Sequence, residues 1–240
     1  CLVGSEMCIR DRTKCVQEGW KPTGGDPRVL PIYQSTTFSY DNCESMGSAF
    51  NLELAGHLYT RISNPTLSCV AEKIAALEGG VGAMLTSSGQ SAALISILNI
   101  CHAGQNILSS SEIYGGTYNL LNKTLAEMGV ETRFFNAASP EEEIESLIDE
   151  NTRAIFGETL SNPSLAIFDI ERFANMAHRH GIPLVVDNTF ATPYLLRPFT
   201  HGADIVVYSA TKFIGGHGTA LGGVIIESGQ FDWAGSGRFP

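Results

Sequence analysis

From residue 81 onward the chain alternates short apolar runs with stretches of helical period, and this alternation restricts the fold more than any other feature. VGAML (81–85), NILSS (106–110), VETRFF (130–135), RAIFGE (153–158), PLVVD (183–187), DIVVY (204–208) and GVIIE (223–227) read as strands. Helical patterns lie between them. NPTLSCVAEKIAALEGG opens with Asn64 as a cap and Pro65 at the first helical position. Leu67, Val70, Ile74 and Leu77 share one face, and Gly79 stops the helix. Further helices are expected over about 90–101 and 117–128, the second with Leu121, Leu125 and Met128 on one side. In SPEEEIESLI, Ser139 reads as the cap, Pro140 as the first residue and Glu142 as the capping-box acid. DIERFANMAHRHG is amphipathic and closed by Gly181. Apolar strands separated by helices imply an α/β fold: a mostly parallel sheet with helices on both faces. Such sheets bind ligands beyond the carboxyl ends of their strands.

The residues at those ends form a chemically consistent set. After VGAML, Ser88, Gly89 and Gln90 stand at a helix N-terminus, where free N–H groups and the helix dipole suit an anion. An ordinary N-cap explains the same residues. After NILSS, Tyr114 precedes two glycines, so the backbone can turn sharply and the ring can lie flat on a ligand. Packing on the core is the plainer alternative. Asp187 closes a wholly apolar strand and needs a partner. That partner is structural, an Arg or backbone amides, or else a protonated ring nitrogen. After DIVVY, Ser209, Thr211 and Lys212 are followed by Gly215, Gly216 and Gly218. Loop lysines are ordinarily surface charges. Small and apolar neighbours favour here a partly buried amine of lowered pKa. An amine, a carboxylate, an aromatic ring and an anion cup are what pyridoxal 5'-phosphate requires.

Composition excludes several classes. With 240 residues, 43% of them apolar, the chain can bury a large core. A net charge of -10 argues against nucleic acid or an anionic membrane as partner. No apolar run approaches the ~20 residues that span a bilayer. The six cysteines, Cys1, Cys8, Cys15, Cys43, Cys69 and Cys101, include no Cys-x-x-Cys pair and read as free thiols in a reducing cytoplasm. His178 and His180 lie two apart on a helix, so they face different ways and make no joint metal site. His217, a loop histidine among glycines, reads as a polar or backbone contact. Gly79, Gly80 and Gly82 precede a strand and form no dinucleotide fingerprint. Residues 1–12 read as a non-native extension. The terminal GSGRFP has no closing element, so the chain reads as a fragment of a longer protein.

SATKFIGGHG (209–218), HLYTRISNPT (57–66) and LSNPS (160–164) carry a family resemblance. From about Thr13 to its end the chain resembles the Cys/Met-metabolism family of pyridoxal-phosphate enzymes. The resemblance implies a PLP-dependent transferase of fold type I, with an N-terminal arm over 13–60. A large PLP-binding domain over 61–240 would be incomplete at its C-terminus and lack the small domain. It makes Lys212 the lysine that carries the cofactor and, with Tyr114, the catalytic pair. It sets Asp187 on the pyridine nitrogen, and Ser88, Gly89, Gln90, Ser209 and Thr211 around the phosphate. Asn162 and Thr189 fall beside the ring. Tyr59 and Arg61 would reach the phosphate of a neighbouring subunit's cofactor, which implies a homodimer at least and a tetramer by family habit. SSGQSA, PIYQSTTF and GGVIIESGQFDW resemble the branch that acts on O-acetyl-L-homoserine. With sulfide that reaction yields homocysteine and acetate; with methanethiol, methionine. Cystathionine γ-synthase, cystathionine γ-lyase and methionine γ-lyase chemistry on the same groups is the alternative. A binding protein that kept the fold would have lost one of these groups, and none is lost.

Overall fold

The computed structural model describes residues 12–239, so the expected extension at residues 1–12 and the thiols of Cys1 and Cys8 lie almost wholly outside the described residues. The chain divides into two compact units, one ending at Ala76 and one beginning at Leu77.

In the first unit, Asn42 caps the helix Cys43–Phe50 by accepting from the Ser45 N–H at 2.8 Å. The helix Pro65–Glu78 opens as the sequence implies: Asn64 Oδ1 accepts from the Thr66 N–H at 2.9 Å. The Asn64 amide also donates to the Tyr33 carbonyl at 2.9 Å and so pins the 31–37 segment to this helix start. The expected apolar face is buried at only one end. Ile74 is buried, whereas Leu67 and Val70 are exposed.

The second unit holds a seven-stranded sheet in the order β1-β7-β6-β5-β4-β2-β3. The strands are β1 Gly82–Thr86, β2 Asn106–Ser110, β3 Glu131–Phe135, β4 Thr152–Glu158, β5 Leu184–Asp187, β6 Ile205–Ser209 and β7 Gly223–Glu227. β3, β2, β4, β5 and β6 pair in parallel, and β7 runs antiparallel to both β6 and β1. The antiparallel strand follows from its connection. Residues 210–222 form no helix that could carry the chain across the sheet, so the chain returns beside β6 in hairpin fashion. Every residue of β2 is buried, as are most of β4 and β6. Alternate side chains point to opposite faces, so both faces are covered. The helix Gly89–Ile100 packs on β6 and β7, and Ile170–Arg179 packs on β4 and β5. Phe173 of the latter stacks on Phe168, with ring centres 4.4 Å apart.

Helix Ile170–Arg179 is capped by Asp169, and Gly181 follows it at φ +65°. Two other expectations are corrected. The helix expected over 117–128 is Gly115–Asn119, then a π turn Leu120–Thr124, then Leu125–Glu127. The Ser139 cap does not form. Pro140 occupies the cap position of a five-residue helix, Glu141–Glu145, and makes no side-chain cap. Pro140 fixes the backbone there, and the Ser139 carbonyl instead accepts from the Arg172 guanidinium at 2.7 Å. The four described cysteines are unpaired. His178 bonds Asp204 and His180 bonds Glu145, so the two histidines serve different partners. Among the described residues no helix is long and apolar enough to cross a membrane.

Candidate active site

Because β7 alone is reversed, the carboxyl ends of β1, β2, β4, β5 and β6 lie along one edge of the sheet. The side chains there belong to the second unit. At the end of β5, Asp187 Oδ1 accepts from the Thr189 N–H at 2.9 Å and from the Thr189 hydroxyl at 2.5 Å. Both bonds fall on Oδ1. Among the described residues Oδ2 takes none, so one lone-pair-bearing oxygen is left for an outside donor. Burial pushes the Asp187 carboxyl above its ordinary range, against the pull of Thr189. The Thr189 hydroxyl oxygen also accepts from the Ser209 N–H at 2.8 Å, which fixes the end of β6 to the end of β5.

β6 delivers the turn Ser209–Lys212. Thr211 and Gly222 share three hydrogen bonds, the Thr211 N–H and hydroxyl donating to the Gly222 carbonyl and the Gly222 N–H donating to the Thr211 hydroxyl, and so close the loop that precedes β7. The Thr211 hydroxyl is therefore engaged with its own loop. Lys212 is exposed, which corrects the expectation of a partly buried amine. Its glycine neighbours have no side chains to cover it. His217 Nδ1 contacts the Gly215 carbonyl at 2.7 Å, the backbone contact the sequence suggests.

After β1, Ser88 caps the helix Gly89–Ile100 by accepting from the Ser91 N–H at 3.1 Å. The first N–H groups of such a helix have no intrahelical acceptor. The Gln90 amide donates to the Thr117 hydroxyl at 3.0 Å and ties this helix to the one after β2. Gly89 lies directly against Ser209: a Cβ added to it would sit 2.6 Å from the Ser209 Cβ. Gly223 likewise abuts the Ser88 carbonyl, 2.1 Å from where its Cβ would stand. A helix start and the Ser209 hydroxyl thus meet at a place only glycine allows. Tyr114 precedes the helix Gly115–Asn119 and is 50% exposed, so its ring is not a core residue. The ring lies over Gly116, whose Cβ would come within 2.4 Å of it. Asn162 lies after β4 at the start of the 162–164 turn, its peptide to Pro163 cis.

The second unit thus brings together Ser88, Gly89 and Ser209, and separately Asp187, Thr189 and Ser209, along one edge with Lys212, Tyr114 and Asn162. Tyr59 and Arg61 belong to the first unit. The Arg61 guanidinium lies 5.2 Å from the Tyr59 ring centre in a cation–π contact.

Two groups escape the sequence reading. Glu158 closes β4 in register with Asp187 and is only 6% exposed. The rule that singled out Asp187, an acid ending an apolar strand, would have found it in RAIFGE. Burial and the neighbouring Asp187 push its carboxyl up to about 8. The other is a buried cluster beneath the edge. The Tyr208 hydroxyl donates to Glu78, and the Asn188 amide donates to the Tyr208 oxygen at 2.7 Å. Burial pushes the Glu78 carboxyl up to about 7. No spacing signal links positions this far apart.

These acids set a pH dependence. In the unfolded chain both carboxyls titrate near 4.3. Folded, they keep their protons to about 7 and about 8, so the folded state binds more protons across that window. Stability therefore falls as pH rises from about 4.5 to about 8. The thermal midpoint of the cofactor-free protein, followed by circular dichroism, is expected to drop between pH 5 and pH 8. A rising midpoint would contradict the assignment.

A mostly parallel sheet with a lysine loop, an acid and a glycine-kept helix start at one edge places the chain in the α/β class. Comparison identifies the family. Residues 12–239 match the Cys/Met metabolism PLP-dependent enzyme family, and the chain belongs to it. It is 47% identical over 212 residues to the O-acetyl-L-homoserine sulfhydrylase of Leptospira meyeri, covering 88% of this chain and 48% of that protein. To the homocysteine synthase of Schizosaccharomyces pombe it is 48% identical over 215 residues, covering 89% of this chain and 50% of the relative. A solved structure from Campylobacter jejuni, described as an O-acetylhomoserine (thiol)-lyase with an N'-pyridoxyl-lysine-5'-monophosphate residue, superimposes with a TM-score of 0.91 at 38% identity. It covers 95% of this chain and 57% of its own. The fold is the PLP-dependent transferase fold of these structures. The chain spans about half the length of the curated relatives it matches.

Proposed function

We propose that the full-length protein carrying this chain replaces the acetoxy group of O-acetyl-L-homoserine with sulfide, giving homocysteine and acetate, and accepts methanethiol to give methionine. The observation that carries this reading is the edge itself: Asp187 Oδ2, the Gly89–Ser209 contact and Lys212 lie along one edge, in a chain close in sequence to sulfhydrylases.

The residues suit pyridoxal phosphate. Asp187 offers a carboxylate oxygen, Oδ2, to a protonated pyridine nitrogen, and Thr189 holds the other oxygen. The half-exposed Tyr114 offers a ring face for stacking. The N–H groups of Gly89 and Gln90, with the Ser88 and Ser209 hydroxyls, suit phosphate oxygens. Thr211 supports that cup by holding the loop closed, and Asn162 flanks the ring. When bound, the cofactor supplies an electron sink for the charge left at the substrate Cα. Lys212 would carry the cofactor and then move protons: it would take the one at Cα and next one at Cβ, so that acetate leaves from Cγ, and return both after sulfide has added at Cγ. Tyr59 and Arg61 of a second copy suit the phosphate, because a guanidinium fork matches its oxygens. We accordingly propose a homodimer as the working unit, assembled into a tetramer in the cytoplasm.

The test is a substrate panel on the full-length protein: O-acetyl-L-homoserine with sulfide or methanethiol, against cystathionine and methionine. Homocysteine formation at a kcat/KM at least tenfold above any cleavage is expected. Preferential cleavage of cystathionine or methionine would replace the reading with a lyase.

A further inference from the structure

Glu158 is a buried charge-bearing side chain that touches the site from beneath and has so far been given no task. Its Oε1 accepts the Tyr114 N–H at 2.8 Å, bridging 44 residues of sequence. The Asn162 backbone N–H adds a further, smaller pull on the same carboxyl. Across the β4–β5 register it faces Asp187. One side chain therefore connects the residue that would cover the ring, the turn that would flank it and the acid that would hold its nitrogen.

The body of the helix that Tyr114 opens is tied to Gln90 through Thr117, whereas the backbone N–H of Tyr114 itself is held by Glu158. Tyr114 makes no side-chain cap for the helix it opens, whose first turn, Gly115–Asn119, runs on into the π turn Leu120–Thr124. A first turn that starts with two glycines has little intrinsic stability of its own. The N–H bond to Glu158 fixes the backbone at Tyr114, and the ring rests against the bare Gly116 surface. We propose that Glu158 is a positioning residue: by accepting the Tyr114 N–H it sets the tyrosine ring over the end of β5. This deepens the pyridoxal-phosphate reading of the site and rests on it.

The chemistry of the acid fits that task. A protonated carboxyl still accepts an N–H through its carbonyl oxygen. With its carboxyl raised to about 8, Glu158 remains largely neutral at pH 7. It then anchors the tyrosine without placing a second full negative charge beside Asp187. Glutamine reproduces that neutral acceptor; methionine keeps the bulk and removes it.

The experiment compares Glu158→Gln and Glu158→Met in the full-length protein, with pyridoxal phosphate as the added ligand. Cofactor affinity and the circular dichroism of the cofactor's visible band, which reports how the ring is held, are measured. Glu158→Gln is expected to stay within threefold of wild-type affinity and keep the band. Glu158→Met is expected to lose at least tenfold in affinity and most of the ellipticity. Retention of both by Glu158→Met, or their loss in both variants, overturns the proposal. Amide hydrogen exchange at Tyr114 without cofactor gives a readout that does not need the methionine variant to fold. Slow exchange in wild type and in Glu158→Gln is expected, and fast exchange in wild type overturns the anchor. Should wild type fail to take up pyridoxal phosphate while the Tyr114 amide stays protected, the cofactor reading falls and the positioning proposal falls with it. The structural bond alone survives.

Discussion

Lys212→Ala in the full-length protein is expected to leave a folded, colourless enzyme with on the order of 10³-fold less activity or worse. The side chain is exposed, and the loop around it is held by backbone bonds that alanine keeps: Lys212 N–H to the Ser209 carbonyl at 3.1 Å and Gly216 N–H to the Lys212 carbonyl at 2.8 Å. Truncation therefore costs the fold little. What it removes is the only nitrogen in the 209–218 turn able to bond covalently to an aldehyde and to shuttle protons afterwards. Two measurements read the outcome. Borohydride treatment in the presence of pyridoxal phosphate should label wild type and not the variant, and the thermal midpoint without cofactor should be the same in both. Persistent labelling of the variant would move the covalent role to another lysine.

Gly89→Ala is expected to produce the second largest loss. The new Cβ would lie 2.6 Å from the Ser209 Cβ and 2.8 Å from its Cα. The Cα cannot swing aside as a flexible side chain could, so the start of the helix Gly89–Ile100 must move off β6. Overpacking of this kind costs about 1–3 kcal/mol. The displacement widens the cup that would take the phosphate, so cofactor affinity should fall on the order of 10- to 100-fold, read by titrating the visible band. Equal affinity in variant and wild type would place the anion elsewhere.

Strand positions were legible because period and length are local properties. NILSS is the strand Asn106–Ser110 residue for residue, and RAIFGE, PLVVD, DIVVY and GVIIE each lie within a residue of theirs. The direction of β7 was not legible. GVIIE is as apolar as its neighbours, and only the helix-free connection from β6 shows that it must return antiparallel. The site was legible where one residue type at a strand end implies a need. Asp187 ending an apolar strand had to find partners, and Thr189 supplies two bonds. It was illegible where the need is met across the sheet. Glu158 finds the Tyr114 N–H, and Glu78 finds Tyr208, through pairings made by topology. The exposure of Lys212 was misjudged for a physical reason: small neighbours suggest a tight environment, yet glycines lack the atoms to enclose an amine.

The reversed β7 also bears on how the protein is made. Among the described residues β1 has no neighbour but β7, pairing Gly82 with Glu227 and Thr86 with Gly223. A ribosome must release nearly the whole of this stretch before its first strand can be seated, and loop closure over such a span is slow. Before β7 is in place, β1 and β6 each present an unpaired edge, the kind of edge that invites pairing with the wrong neighbour.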